Sequence, residues 1–306
     1  MIDFNSDMMS ETRASKLLKK DFLSDNISHA YLFHGPKGVY KMKSAIEMAK
    51  AIHCKNNLCG KCKTCLEIDN KTHVDTHIFN DDGQIISVEF MKNLIASINM
   101  TSHSKFKIFI LEKIERMNKE SANSFLKILE EPPQNTIIIM TTENISSILA
   151  TIISRVRPIN FSAFSDEELQ NYVSKNFKNK SVEKIKFVLK TSFGRPSIAS
   201  KLLNDDEIFE KHFAFYNEVL ALFEKNIVDR FIFVDTLLSS EEEDSFKMDL
   251  FFEYISQILR EKLLLSEFDD EKMKVINCLS KIYEAGMLLK RNVNKKLLLE
   301  NIILSL

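Results

Sequence analysis

Residues 29–42 read HAYLFHGPKGVYKM, and the way this stretch parses sets the architecture of the whole first half of the chain. From Ala30 to His34 the chain is short, apolar and bulky, as a buried strand is. Gly35, Pro36 and Gly38 then break it, and from Lys41 an apolar face recurs at Met42, Ala45, Met48, Ala49 and Ile52, which is helical spacing. A strand, a glycine-containing turn and a helix in this order can present backbone N–H groups to phosphate. A working loop of this kind needs glycine at its tight turns, then lysine for charge, then serine or threonine for magnesium. Here Tyr40 stands where the last glycine belongs and Met42 where the magnesium hydroxyl belongs. The loop Gly35, Gly38 and Lys41 therefore predicts weak or absent nucleotide binding in cis, with hydrolysis lost first. A plain tight turn between strand and helix is the alternative.

Farther along the chain, residues 108–111 and 136–140 are apolar runs rich in β-branched side chains, as strands buried on both faces are. Residues 117–131 between them read as a helix with Ala122, Phe125, Leu126 and Leu129 on one face, ended by Pro132 and Pro133. The run 108–111 leads into Glu112 and Lys113, where a hydrolase places an aspartate for magnesium and then an acidic base for water. Lys113 cannot act as that base, and its cation repels magnesium. The first half is therefore expected to be an α/β domain, a parallel sheet with flanking helices, over residues 1–163.

After Phe161 the patterns become helical. Ser165 with Glu168 predicts a capping box, Asn204, Asp205 and Asp206 make a polar break, and Ser240 with Glu243 predicts a further cap. The expected divisions are a helical segment over 164–205 and an all-α segment over 206–306. In the latter, Phe251, Tyr254, Ile255, Ile258 and Leu259 form an apolar face that either a bundle interior or an oligomeric collar would bury.

Cys54, Cys59, Cys62 and Cys65 are separated by four, two and two residues. One loop can wrap four such sulfurs around a tetrahedral zinc ion, at about 2.3 Å per bond, with no position left open for water. The site is predicted to be structural, and Lys55, Lys61 and Lys63 are interleaved where they offset thiolate charge. Free or paired thiols and an iron–sulfur cluster are the alternatives. Cys278 lies in a helical pattern and reads as a core residue. His73 and His77, with Asp75 between them, read as structural, because four sulfurs complete the zinc shell without them.

The 306 residues carry a net charge of −1, with 44% hydrophobic and 28% charged residues, the balance of a globular protein of several domains. No global field attracts nucleic acid, and Lys16, Lys19 and Lys20 are only local basic contacts. No apolar run approaches the ~20 residues that span a bilayer. Asp3, Asp7 and Glu11 stand where a signal peptide wants a basic start, so a cytoplasmic protein is expected.

Taken together, HAYLFHGPKGVYK (29–41), the cysteine cluster, HVDTH (73–77), ANSFLKILEEPP (122–133), Thr141-Thr142-Glu143 and Ser154-Arg155 resemble the delta-prime family of bacterial DNA polymerase III clamp-loader subunits. The likeness covers residues 1 to about 205; the last third matches only in length and helical character. The resemblance implies an AAA+ domain with an inserted zinc module at 54–65, a helical lid, and a collar that joins subunits in a hetero-pentameric ring. It implies gamma or tau motor subunits and a delta subunit as partners, and a sliding clamp and primed DNA met through the complex, with no membrane. It further implies no intrinsic ATPase; instead Arg155 is offered in trans to ATP on a neighbouring subunit. Val156 replaces the cysteine usual after that arginine, while the charged group the chemistry needs is retained. Thr142 falls at the family's phosphate-sensing strand end and Arg195 where a lid can carry a sensor arginine; purely structural parts are the alternative for both, as is a surface ion pair for Arg155. Two rival functions are a gamma- or tau-like motor ATPase, opposed by Lys113, and a zinc-bearing DNA-binding module using Lys55, Lys61 and Lys63.

Overall fold

The structure, a computed structural model, describes residues 12–24, 27–56, 58–80, 83–101, 104–239, 244–289 and 293–306. Asp3, Asp7, Glu11 and the cap expected at Ser240 and Glu243 lie outside the described residues. The chain divides into two compact units, residues 1–180 with 192–200, and residues 181–191 with 201–306.

In the first unit the elements run α1 (Arg13–Leu23), β1 (Ala30–His34), α2 (Lys41–His53), α3 (Lys63–Asp69), β2 (Thr76–Phe79), α4 (Val88–Ile98), β3 (Lys107–Leu111), α5 (Lys119–Glu130), β4 (Thr136–Thr142), α6 (Ala150–Ile153), β5 (Arg157–Asn160) and α7 (Asp166–Asn176). The strands form one sheet in the order β2-β3-β4-β1-β5, and every pairing is parallel. The three apolar runs of the sequence are its three inner strands. Alternation along them feeds two cores. Tyr31, Phe33, Ile108, Ile110, Ile137 and Ile139 pack with Leu18, Met48 and Ile68. Ala30, Leu32, Phe109, Leu111, Ile138 and Met140 pack with Met91, Phe125 and Leu129. Burial on both faces is why these strands read as unbroken apolar runs.

The chain then forms α8 (Val182–Thr191), α9 (Pro196–Asn204), α10 (Asp206–Ala221), α11 (Ile227–Leu238), α12 (Asp244–Leu265), α13 (Asp269–Leu288) and α14 (Lys295–Ile303). The capping box at α7 is present in both directions, Ser165 Oγ with Glu168 N and Glu168 Oε2 with Ser165 N. Asp205 caps α10 at the expected break. In the second unit Phe251, Tyr254, Ile255, Ile258 and Leu259 are all buried, so this face of α12 belongs to the bundle's own interior and is not available to a collar contact. There Tyr254 Oη lies 2.6 Å from His212 Nδ1, and Phe187 stacks edge-on against Phe209, Phe213 and Tyr216. Among the described residues no helix is long and apolar enough to cross a membrane.

Candidate functional site

The loop between β1 and α2 is built so tightly that its glycines are required. Gly35 has φ +146°, and a Cβ there would meet Phe161 O at 1.9 Å. Gly35→Ala is expected to cost about 3 kcal/mol or more, combining backbone strain with a clash against main chain, read as a loss of chemical-denaturation stability. Gly38 has φ +87°, and a Cβ there would lie 3.2 Å from Arg195 Cβ. Its carbonyl accepts a hydrogen bond from Ser197 N at 3.1 Å.

Tyr40 occupies the missing glycine's place by adopting the left-handed conformation itself, φ 62° and ψ 29°, which costs energy for a residue with a Cβ. Its hydroxyl lies 2.7 Å from Ser200 Oγ, 3.1 Å from Tyr172 Oη and 3.1 Å from Pro196 O, to which it donates. Tyr172 Oη and Ser200 Oγ are themselves 2.7 Å apart. The ring thus straps the loop to α7 and α9. Tyr40→Phe should destabilise the chain by about 1 kcal/mol, the net worth of a part-buried hydrogen bond, because Tyr172 Oη and Ser200 Oγ still hold each other; urea unfolding measures this.

Lys41 does not project from the loop. Its Nζ donates to Gly35 O and Pro36 O, both at 2.7 Å. Burial pushes its ammonium below the ordinary lysine value, with Lys113 adding to the effect and Glu143, Glu115 and Glu112 opposing it. Lys113 is itself left-handed, φ 51°, with its backbone N–H donating to Thr141 Oγ1 at 3.1 Å and its Nζ 3.5 Å from Glu143 Oε1. Both lysines thus have partners within the protein, Lys41 the loop carbonyls and Lys113 the Glu143 carboxylate. Thr142 is buried; its Oγ1 accepts from Asn144 N at 3.1 Å. Arg195 Nε donates to Ser192 O at 3.1 Å, and its guanidinium lies 5.1 Å from the Phe193 ring centroid.

Arg155 lies at the other end of the sheet. The phosphate loop leaves β1 after His34, at the strand's C-terminal end. β5 runs parallel to β1 with Tyr31 beside Arg157 and His34 beside Asn160, so Arg155 precedes the N-terminal end. A strand of five residues separates those ends by about 13 Å. The Arg155 side chain is 35% exposed and its Nη2 lies 2.9 Å from Glu130 Oε1. Its Nη1 donates to Thr151 O at 2.8 Å and to Ser154 Oγ at 3.2 Å. Ser28, His29, Leu129 and Arg157 share this surface. Arg157 is differently placed, because it pairs with Asp21, whose side chain is only 5% exposed; removing it would strand a buried charge. Sequence reasoning overlooks Glu130 and the Tyr40 hydroxyl. A carboxylate at a helix C-terminus opposes the helix dipole, and that is the available signal for Glu130.

The four cysteines converge as their spacing predicts, with all four sulfurs within 4.8 Å of one another. Cys54 caps the end of α2, Cys62 starts α3 and Cys65 lies in its first turn. Cys54 Sγ is 3.7 Å from both Cys59 Sγ and Cys62 Sγ. The edge of a tetrahedron with 2.3 Å zinc–sulfur bonds is about 3.8 Å, whereas a disulfide needs about 2.05 Å, and all five cysteines are free. Gly60 turns the chain at φ +70°. Backbone N–H groups of Lys61 and Cys62 point at Cys59 Sγ and bring its thiol down to about 6. Burial pushes the Cys65 thiol up to about 12, so a cation is what would hold all four as thiolates. The site can bind zinc. His73 and His77 are not among the four converging ligand groups: His73 Nδ1 lies 3.0 Å from Thr76 Oγ1 and its ring 4.5 Å from that of His53, and His77 is stacked on Phe109 at 4.8 Å.

Residues 10–165 match the family described as DNA polymerase III, delta subunit, and the chain belongs to that family. It is 32% identical over 167 residues to DNA polymerase III subunit delta' of Bacillus subtilis, covering 53% of this chain and 50% of that one. It is 32% identical over 167 residues to DNA polymerase III subunit gamma of Buchnera aphidicola, covering 51% and 45%. The chain spans about half the length of these curated relatives. A solved gamma subunit-related protein of DNA polymerase III from Thermotoga maritima shares its fold at a TM-score of 0.50 and 20% identity, over 96% of this chain and 98% of that one.

Proposed function

We propose that this member of the DNA polymerase III delta subunit family is an ATPase-silent clamp-loader subunit of delta-prime type, which completes a neighbour's nucleotide site through Arg155. The observation that carries the proposal is the opposition of two ends of one sheet. Arg155 stands beyond the N-terminal end of β1 and the phosphate loop beyond its C-terminal end, ends that the strand holds about 13 Å apart. Arg155 cannot serve its own loop, and an arginine at the open end can serve another's.

The local loop supports the same reading. Lys41 is tied to the carbonyls of Gly35 and Pro36, Tyr40 is tied to α7 and α9, and Lys113 sits where a base is needed. Gly35, Gly38, Lys41, Thr142 and Arg195 would then serve the fold, with nucleotide weakly held or not held. Zinc on Cys54, Cys59, Cys62 and Cys65 would join the end of α2 to α3 as scaffold; four sulfurs leave it no open position for chemistry. Within this reading, residues 164–205 act as lid and 206–306 as collar, in a hetero-pentameric ring with gamma or tau and delta subunits that loads a sliding clamp on primed DNA. Met273, Ile276, Tyr283 and Met287, all exposed along α13, recur at heptad-like spacing and suit such a contact.

The purified chain is expected to show no ATP hydrolysis above background and no change with Lys41→Ala. Steady-state hydrolysis abolished by Lys41→Ala would overturn the proposal in favour of a motor subunit.

A further inference from the structure

Glu130 ends α5, where unsatisfied carbonyls already carry partial negative charge, and Glu131 follows as the C-cap. A carboxylate is disfavoured in that position, so stability alone does not account for it. Its Oε1 lies 2.9 Å from Arg155 Nη2, and the two side chains remain 49% and 35% exposed. Water competes for such a pair and it is weakly held. The contrast on the same surface is Arg157, fixed by the buried Asp21. Meanwhile Thr151 O and Ser154 Oγ hold the other guanidinium nitrogen of Arg155 back along its own α6 turn.

A guanidinium fork binds carboxylate and phosphate oxygens through the same donors, so the two anions compete for Arg155. Resting on the proposed function, we propose that Glu130 is a latch: it is the resting counter-ion that stows Arg155 against α6 until a neighbour's triphosphate displaces it. Glu130 is thus a positioning residue that sets how readily the arginine engages. No bond is made or broken; one ion pair is exchanged for another.

The test is single-turnover ATP hydrolysis at sub-saturating ATP, which reads kcat/KM at the site that receives Arg155, by the assembled complex without DNA, carrying Glu130→Gln in this chain. Removing the competing charge should raise kcat/KM about two- to fivefold, the range an exposed ion pair spans. Glu130→Asp, which keeps the charge but shortens its reach, should give a smaller rise. Glu131→Gln, an equal charge change one residue on, should give none. Combined with Arg155→Ala, Glu130→Gln should add nothing, because its effect passes through Arg155. A merely structural Glu130 would instead lower kcat/KM by misplacing the arginine. If Arg155→Ala slows hydrolysis while Glu130→Gln leaves kcat/KM unchanged or lowers it, the latch is wrong and the proposed function stands. If Arg155→Ala itself changes nothing, the proposed function fails first.

Discussion

Replacing Arg155 by alanine is expected to slow ATP hydrolysis by ~10³-fold or more at the neighbouring site that receives it, about 4 kcal/mol of transition-state stabilisation. The cost to this chain's own stability should be small, because Arg155 gives up only a partly exposed ion pair with Glu130 and local contacts to Thr151 and Ser154. Activity and stability therefore separate, and the melting temperature of the variant should stay within a degree or two of the parent. Arg155→Lys should recover little. An ammonium is a compact point charge without the planar fork that spans two phosphoryl oxygens. Arg157→Ala should show the reverse balance, destabilising the chain by taking away the cation that faces the buried Asp21. Pre-steady-state hydrolysis by the rebuilt complex is the measurement, since a bulk rate averages over sites that Arg155 does not serve.

Loss of the metal should have the second large effect. One zinc per chain is expected by elemental analysis, and Cys65→Ser, which alters a fully buried ligand, should abolish it. Metal–thiolate sites of this kind carry apparent binding energies on the order of 10 kcal/mol. Part of that energy holds residues 54–65 in place, so removing the ion should open the segment to hydrogen exchange and cost the chain several kcal/mol. The inner strands, whose cores lie on the two faces of the sheet, should keep slower exchange than the module. A metal-free chain with reduced thiols and unchanged exchange over 54–65 would contradict the scaffold role.

Much of this architecture is legible in the order of the amino acids. The inner strands β1, β3 and β4 stand out because burial on both faces leaves nothing but apolar residues. The edge strands do not. β2 is four residues of which three are half-buried, and β5 carries an exposed Pro158 and an exposed Asn160 beside its one buried residue, Ile159, a composition permitted only at an edge. The Ser165 box is readable because capping is local chemistry. The α12 face is readable as apolar, but periodicity cannot say whether the same chain or another covers it, and here the same chain does. The cysteine spacing leads directly to the sulfur cluster. The Tyr40 strap is not legible, because its partners Tyr172 and Ser200 lie more than a hundred residues away, and neither is the Glu130 pair. The separation of Arg155 from the phosphate loop depends on β5, the strand that polar residues and a proline conceal.

The most direct measurement is a structure of the assembled complex with a non-hydrolysable ATP analogue. The Arg155 guanidinium should lie within about 3 Å of a γ-phosphate oxygen on nucleotide held by a different subunit, parted from Glu130, while Lys41 still donates to Gly35 O and Pro36 O. Nucleotide seated in the 35–41 loop with Lys41 on its phosphates, or Arg155 far from every γ-phosphate and still on Glu130, would contradict a silent subunit that lends its arginine.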